Sequence, residues 1–413
     1  MRATWGLVGN DKIGGYRFLY TPDMYGVNNN TAPNKGGYSF PFGPDGSGAS
    51  YNGASELAKH NADVTWETAF KQNYGVDVNF FNDKLHTTFD YYYEKRRDIL
   101  LTDGTFPGIL GFTVPMSNGG SVDSWGWELS ARWNDRIGKD FNYYVGMNLS
   151  YNQNEILDRK EAPNDNEYQY SKGHRIGARS LYKFYKFYYD GIEADYEKEF
   201  GKPFPKHTTG YKTQNELRPG DATYVDLNGD GVIDTNDTAV GLDGTYTDDP
   251  QYTIGLNMGF SYKNWDFAMQ WAGAWNVSRL LGDIFVKPFT TNDGNNQGGL
   301  LIYQWENTWT EDNPSQNSLY PRATFANSSN NYASSTLYEV NSSYLRLKSF
   351  SIAYNFDFPL MKKLKLNTFQ LSLSGYNVLT FTDFIYGDPE TTASSAPSYP
   401  LTRSFALGLK LGF

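Results

Sequence analysis

The chain has 413 residues, a net charge of −10 and no cysteine; 39% of it is hydrophobic and aromatics alone make up 17%. Lack of cysteine excludes a disulfide scaffold, a thiolate nucleophile and a zinc–thiolate site. The acidic balance, with Lys95-Arg96-Arg97 and Lys362-Lys363-Leu364-Lys365 as the notable basic clusters, excludes a nucleic-acid-binding face.

No run of 18 apolar residues occurs, so no membrane-spanning helix is expected; barrel strands, which carry a weaker alternating signal, stay open. Met1-Arg2-Ala3-Thr4-Trp5 carries no apolar export segment. The expectation is either a cytosolic chain or one whose front lies upstream.

Alternation runs from one end of the chain to the other. Ala3, Trp5 and Leu7 begin a short first strand. Tyr74, Val76, Val78 and Phe80 form a second, and Leu85, Thr87, Phe89, Tyr91 and Tyr93 a third, joined through Phe81 to Lys84. Trp125, Trp127, Leu129, Ala131 and Trp133 are followed by a tight connection and then by Phe141, Tyr143, Val145, Met147, Leu149 and Tyr151. Tyr252 to Tyr262 turns at Lys263-Asn264 into Trp265, Phe267, Met269 and Trp271. Tyr344 to Phe356 changes phase between Leu347 and Phe350, which predicts a bulge. Phe369, Leu371 and Leu373 follow, and the last strand sets Phe405, Leu407, Leu409, Leu411 and Phe413 on one face. In every case the residues between are small or polar, so each strand has one greasy and one wet side.

The connections are unequal. Long polar segments lie at about 9–65, 101–120, 155–250, 276–342 and 379–402; short ones lie at 81–84, 134–140, 263–264 and 357–364. Long loops on one rim and short turns on the other are the pattern of an antiparallel transmembrane barrel. Keeping that parity requires Tyr16 to Tyr20 and Ser180 to Tyr189 to be strands within external loops. About ten spanning strands remain, which predicts the C-terminal part of a larger barrel.

One local motif carries metal chemistry. Asp226, Asn228 and Asp230 sit at positions 1, 3 and 5 of a calcium-type loop, with Gly231 at 6, the Val232 carbonyl at 7, Asp234 at 9 and Asp237 at 12. The reading is structural Ca²⁺, weaker than usual because Asp replaces the customary bidentate Glu. The competing one is a metal-free turn rich in Asp and Asn. Catalytic constellations are poor. His60, His86, His174 and His207 have no ligand spacing, and neither a G-x-S-x-G elbow nor a phosphate-binding loop is present. No enzyme is expected. Tyr91-Tyr92-Tyr93 is assigned to an interfacial girdle; for Tyr182 to Tyr189 both sugar stacking and loop packing stay open.

Arg2 to Asp11, Trp66-Glu67-Thr68, Tyr74-Gly75-Val76-Asp77, Asp90-Tyr91-Tyr92-Tyr93 and Asp98-Ile99-Leu100 form the first part of a series. It continues with Pro219-Gly220-Asp221, Gly241, Trp309-Thr310, Asn313-Pro314 and Pro321-Arg322. Ser343-Tyr344-Leu345-Arg346-Leu347-Lys348, Tyr354-Asn355, Asn377-Val378-Leu379-Thr380, Asp388-Pro389-Glu390 and the terminal strand complete it. In this order they resemble the C-terminal half of the SusC/RagA family of TonB-dependent outer-membrane transporters.

The resemblance implies an all-β barrel of about 22 strands with a plugged lumen. It implies a Gram-negative outer membrane, a SusD-like lipoprotein lid, energy from a TonB complex, and glycan or peptide substrates. Residues 1–413 would be the C-terminal half, with 155–250 and 276–342 as extracellular loops. Phe405, Leu407, Leu409, Leu411 and Phe413 would be the signal read by the barrel-assembly machinery. The family's export signal, TonB-contacting segment and plug are not in this sequence. The alternative is a secreted, calcium-stabilised β protein that binds glycans through loop aromatics.

Overall fold

Alternating sequences of this kind pair most simply with their chain neighbours, and they do so here. The computed structural model describes residues 1–11, 25–27, 54–56, 61–107, 114–208, 217–289, 299–324, 328–363, 365–391 and 399–413. Within them ten strands follow one another in chain order in a single antiparallel sheet. They are β1 (Arg2–Asn10), β2 (Glu67–Phe80), β3 (Leu85–Thr102), β4 (Met116–Ile137), β5 (Phe141–Asp158), β6 (Tyr252–Tyr262), β7 (Trp265–Trp275), β8 (Tyr344–Asn355), β9 (Thr368–Thr382) and β10 (Ser404–Gly412). Short connections join β2–β3, β4–β5, β6–β7 and β8–β9 at one rim; the other rim carries every long connection.

The expected bulge is present. Gln270 faces Ser349 and Trp271 faces Leu347, so Lys348 has no partner on β7. The extra residue brings Leu345, Leu347, Phe350, Ile352 and Tyr354 onto one face despite the change of phase in sequence.

Register aligns side chains of one type across the sheet. Leu129 faces Leu149, which faces Ile254; Ala131 faces Met147, which faces Leu256; Val145 faces Met258. This aliphatic band lies between two belts of rings. Toward the long-loop rim, Phe89, Trp127, Tyr151 and Tyr252 form a ladder with centroids 6.4, 6.2 and 4.8 Å apart. Toward the short-turn rim, Phe141–Phe260, Phe260–Phe267 and Trp265–Tyr354 stand at 5.7, 5.2 and 4.8 Å. Along β5 the belts, at Phe141 and Tyr151, are about 34 Å of strand apart at about 3.4 Å per residue, close to the ~25 Å apolar band of outer-membrane barrels once tilt shortens it. The opposite face carries Asp90 against Glu128, Ser150 against Thr253, and Asn257 against Gln270.

β3, β4 and β5 outrun their sequence-based bounds, so the second long connection shrinks to 103–115 and the third begins at 159. The 22 residues of β4 extend about 75 Å at ~3.4 Å each, more than twice a hydrocarbon core of about 30 Å. Their outer halves project past the bilayer, where Asp98-Ile99-Leu100-Leu101 and Ser121-Val122-Asp123 keep no steady apolar face and the alternation that reveals a strand is lost. Ser180–Tyr182 and Phe184–Phe187 are short strands outside the large sheet, as parity requires; Tyr16 to Tyr20 lies outside the described residues.

Candidate functional site: the bore wall and its cap

The polar face of the sheet is a wall of paired donors and acceptors. Ser150 and Thr253 hydroxyls meet at 2.5 Å, and Arg2 bridges Asp77 and Asp90 at 2.5 Å each. The Arg132 guanidinium lies 4.9 Å from the centre of the Tyr144 ring. His86 is on this wall, its Nδ1 3.0 Å from Asn79 Oδ1, in keeping with a structural role. Arg175 reaches in from the long-loop rim and donates from Nη2 to Asn152 Oδ1 at 2.6 Å. Such a surface can hydrate and hydrogen-bond a polar solute at many points.

Over the long-loop rim the described parts of three long connections, within 159–251, 276–343 and 383–403, fold together into a cap. Ser278–Leu280 pairs with Glu339–Asn341, Ser180–Tyr182 with Thr238–Val240, and Phe184–Phe187 with Ala222–Tyr224. Leu281, Phe285, Val286, Tyr320, Tyr338 and Phe384 bury one another in a core drawn from two of the connections. Sequence reasoning took these segments as loops and missed this core. The only trace of it is the density of rings among the Gly and Asn.

The cap's joints are charged and largely buried, with Asp248 as their exposed member. Arg179 donates to Glu339 Oε1 at 2.5 Å and to Asp248 Oδ1 at 2.7 Å; Arg279 reaches Asp248 Oδ1 at 2.9 Å and the Thr391 carbonyl at 3.0 Å. Burial holds the Glu339 carboxyl above the usual range, against the pull of Ser278 and Arg179. Removing one partner of such a set leaves an uncompensated charge, so it fixes how the three connections meet.

Two pairs of distant motifs turn out to be neighbours. Arg346, on the bore face of β8, donates to Asp388 Oδ1 at 2.8 Å, Glu390 Oε2 at 2.9 Å and Thr380 Oγ1 at 3.0 Å. Lys348, freed by the bulge, joins Glu390 at 2.6 Å. Gly220 has φ +85°, and a Cβ there would stand 2.1 Å from Trp309 Cε3; its carbonyl accepts from Arg322 N at 2.8 Å. These residues, separate motifs in the sequence, are therefore contacts that pin the cap to itself and to the wall.

The calcium-type loop lies in the cap. Asp226 and Asp237 are buried, while Asp230, Val232 and Asp234 are exposed and Asn228 is half-buried. Asp226 accepts from Gly229 N at 2.5 Å and Gly231 N at 2.9 Å; Asp237 accepts from Leu227 N and Asp234 N at 2.9 Å each. Asn228 and Asp230 bond each other at 2.8 Å, and Asp234 accepts from Asn236 N at 2.7 Å. Burial, and to a smaller degree the nearby Asp226 charge, raises the Asp237 carboxyl against the backbone N–H groups that lower it. The donors are all oxygen, which suits calcium. Among the described residues no three acidic or histidine side chains converge into a finished cage.

Of the remaining histidines, His60 lies outside the described residues. His174 is half-buried, its carbonyl accepting from Ile156 N at 2.9 Å. His207 is sealed between Phe204 and Tyr224; it accepts from Tyr224 N at Nε2, 3.0 Å, with Nδ1 at 3.0 Å from the Pro205 carbonyl. Burial pushes its pKa down to about 4, so it is neutral with the proton on Nδ1. Tyr182 lies tilted against Tyr224 at 5.1 Å, and Tyr185 packs on Tyr196 and Phe200 at 5.2 and 5.5 Å; these rings are loop packing.

A family model described as "TonB dependent receptor-like, beta-barrel" matches residues 14–267. The chain is 26% identical to TonB-dependent receptor P3 of Formosa agariphila, over 100% of this chain and 39% of that protein. It is 25% identical to TonB-dependent receptor SusC of Bacteroides thetaiotaomicron, over 100% of this chain and 37% of that protein. Among solved structures, the RagAB peptide importer in its open-open state superposes with a TM-score of 0.67 at 21% identity, covering 100% of this chain and 40% of that one. The last likeness speaks to fold. The chain thus spans about two fifths of the length of the proteins it matches.

Proposed function

We propose that this chain, which belongs to the TonB dependent receptor-like β-barrel family, is the wall and outer cap of a SusC/RagA-type importer that passes oligomeric nutrients, glycans or peptides, through a gated bore. It is an outer-membrane barrel protein of Gram-negative type. Its work is passage of a solute rather than the breaking of a bond. A SusD-like lipoprotein would close over the cap, and a TonB complex would supply energy. The Asp226–Asp237 loop would take a structural Ca²⁺ through Asp226, Asn228, Asp230, Asp237 and the Val232 carbonyl, with Asp234 acting through water. Calcium would neutralise two buried carboxylates and stiffen the cap.

The observation that carries the proposal is the aliphatic band between two ring belts, backed by a polar wall. A secreted, glycan-binding protein would have no use for Leu, Met and Val set in register on one face across the sheet. The test is uptake of labelled oligosaccharides and peptides by cells with the gene intact, deleted, or de-energised by a protonophore. Uptake should need both gene and energy. Native protein that leaves the membrane fraction without detergent, or uptake indifferent to energy, would refute the proposal.

A further inference from the structure

On the outward face, beside the short-turn rim, lies a furrow of about 450 Å³ lined by Trp265, Ile352, Tyr354, Phe356, Leu371 and Leu407. Register explains it. Tyr354 faces Leu371, which faces Leu409, and Ile352 faces Leu373, which faces Leu407. The leucines of β9 are shorter than the rings on β7 and β8, which pack edge to face, Trp265 on Tyr354 at 4.8 Å and Tyr354 on Phe356 at 4.7 Å. A trough therefore runs along β9 between a wall of rings and β10.

The rim beneath it is cationic. Lys263, in the β6–β7 turn next to Trp265, holds its ammonium 5.4 Å from the centre of the outward-facing Tyr262 ring. Lys363 and Lys365 lie exposed on the connection from β8 to β9; Asp357 is the exposed acid there. Short turns of such barrels face the periplasm, so this rim meets the inner, phospholipid leaflet of the outer membrane.

We propose that the furrow holds one acyl chain of an anionic phospholipid whose phosphate is met by Lys263, Lys363 and Lys365. The trough is apolar along its length and positive at one end, which matches a chain with a negative head. A lipid held there would brace β8 and β9, the strands that carry the Lys348 bulge and Arg346. This does not depend on what the bore transports.

The test uses protein taken from membranes in mild detergent and exposed to equal amounts of phosphatidylglycerol and phosphatidylethanolamine, with bound lipid counted by native mass spectrometry. Wild type should retain one phosphatidylglycerol in preference. Replacing Lys263, Lys363 and Lys365 by Gln should lower that preference by about fivefold for each lysine. Leu373→Trp, which fills the trough, should abolish retention of both lipids, with the heat-modifiable mobility of a folded barrel as control and Leu373→Phe as the milder variant should the first fail to fold. Equal retention of the two lipids by wild type, or retention unchanged in the lysine variant or in the filled trough, would overturn the proposal.

Discussion

Phe405, Leu407 and Leu409 in β10 are 62%, 76% and 59% exposed, whereas Tyr196, Tyr224 and Tyr338 in the cap are 0%, 1% and 1% exposed. Sheet and cap draw on the same aromatic-rich composition and place it oppositely. In the sheet the rings and aliphatics point outward, because lipid is the solvent there and no hydrophobic force drives them inward. In the cap the solvent is water, so the same residue types collapse into a dry core joined by buried ion pairs. The cap should therefore melt like a small soluble domain, and the sheet should hold or fail according to what faces the bilayer.

The comparison breaks most visibly in the cap core. Tyr338→Ala removes a buried ring and the hydroxyl that donates to the Asn331 carbonyl at 2.6 Å. Truncating a large buried ring costs about 3–5 kcal/mol. Limited proteolysis should then cut the cap, while the sheet keeps its heat-modifiable mobility on gels.

The sheet has the converse test. Met147→Arg puts a charge in the middle of the aliphatic band and should cost about 2–4 kcal/mol of barrel stability in lipid. Asn148→Arg, one residue on and facing the bore, should change stability within about 0.5 kcal/mol. Urea unfolding in vesicles reads the difference.

Acid should separate the two regions without mutation. His207 is neutral in the cap with a pKa of about 4, below its ordinary 6.5. Between those values the unfolded cap binds a proton that the folded cap refuses, so this contribution is complete above pH 6.5 and is lost as pH falls toward 4, roughly 3 kcal/mol in all. Cap proteolysis should accelerate across that window, and His207→Gln should flatten the profile.

The smallest effect expected is from calcium. At tenfold excess over its Kd, the ion should stabilise the cap by about 1.4 kcal/mol, and Asp226→Asn should erase that gain. Calcium-independent proteolysis of the wild-type cap would leave the loop as a metal-free turn.

What was legible in the sequence follows the same division. Strands β5 to β7 and β10 could be read because lipid on one face and water on the other impose a period of two on Tyr143, Val145, Met147 and Leu149. Even the bulge at Lys348 showed as a change of phase. The outer halves of β3 and β4 were not legible, since past the bilayer neither of their faces stays apolar over alternate positions. The cap was illegible for a different reason. Leu281, Tyr338 and Phe384 meet across connections far apart in the chain, and no local period announces such a core. Arg346 with Asp388, and Gly220 with Trp309, were visible only as separate motifs. His207 left no trace, because its burial is set by Phe204 and Tyr224 around it.

The absence of cysteine makes the most direct test of the central claim simple. Single cysteines at 145, 146, 147, 148 and 149 can each be spin-labelled in lipid vesicles and tested against dissolved oxygen and a water-soluble nickel chelate. Labels at 145, 147 and 149 should collide with oxygen and be shielded from the chelate, and those at 146 and 148 should do the opposite. Reversed alternation, or none, would contradict an outward face made for lipid.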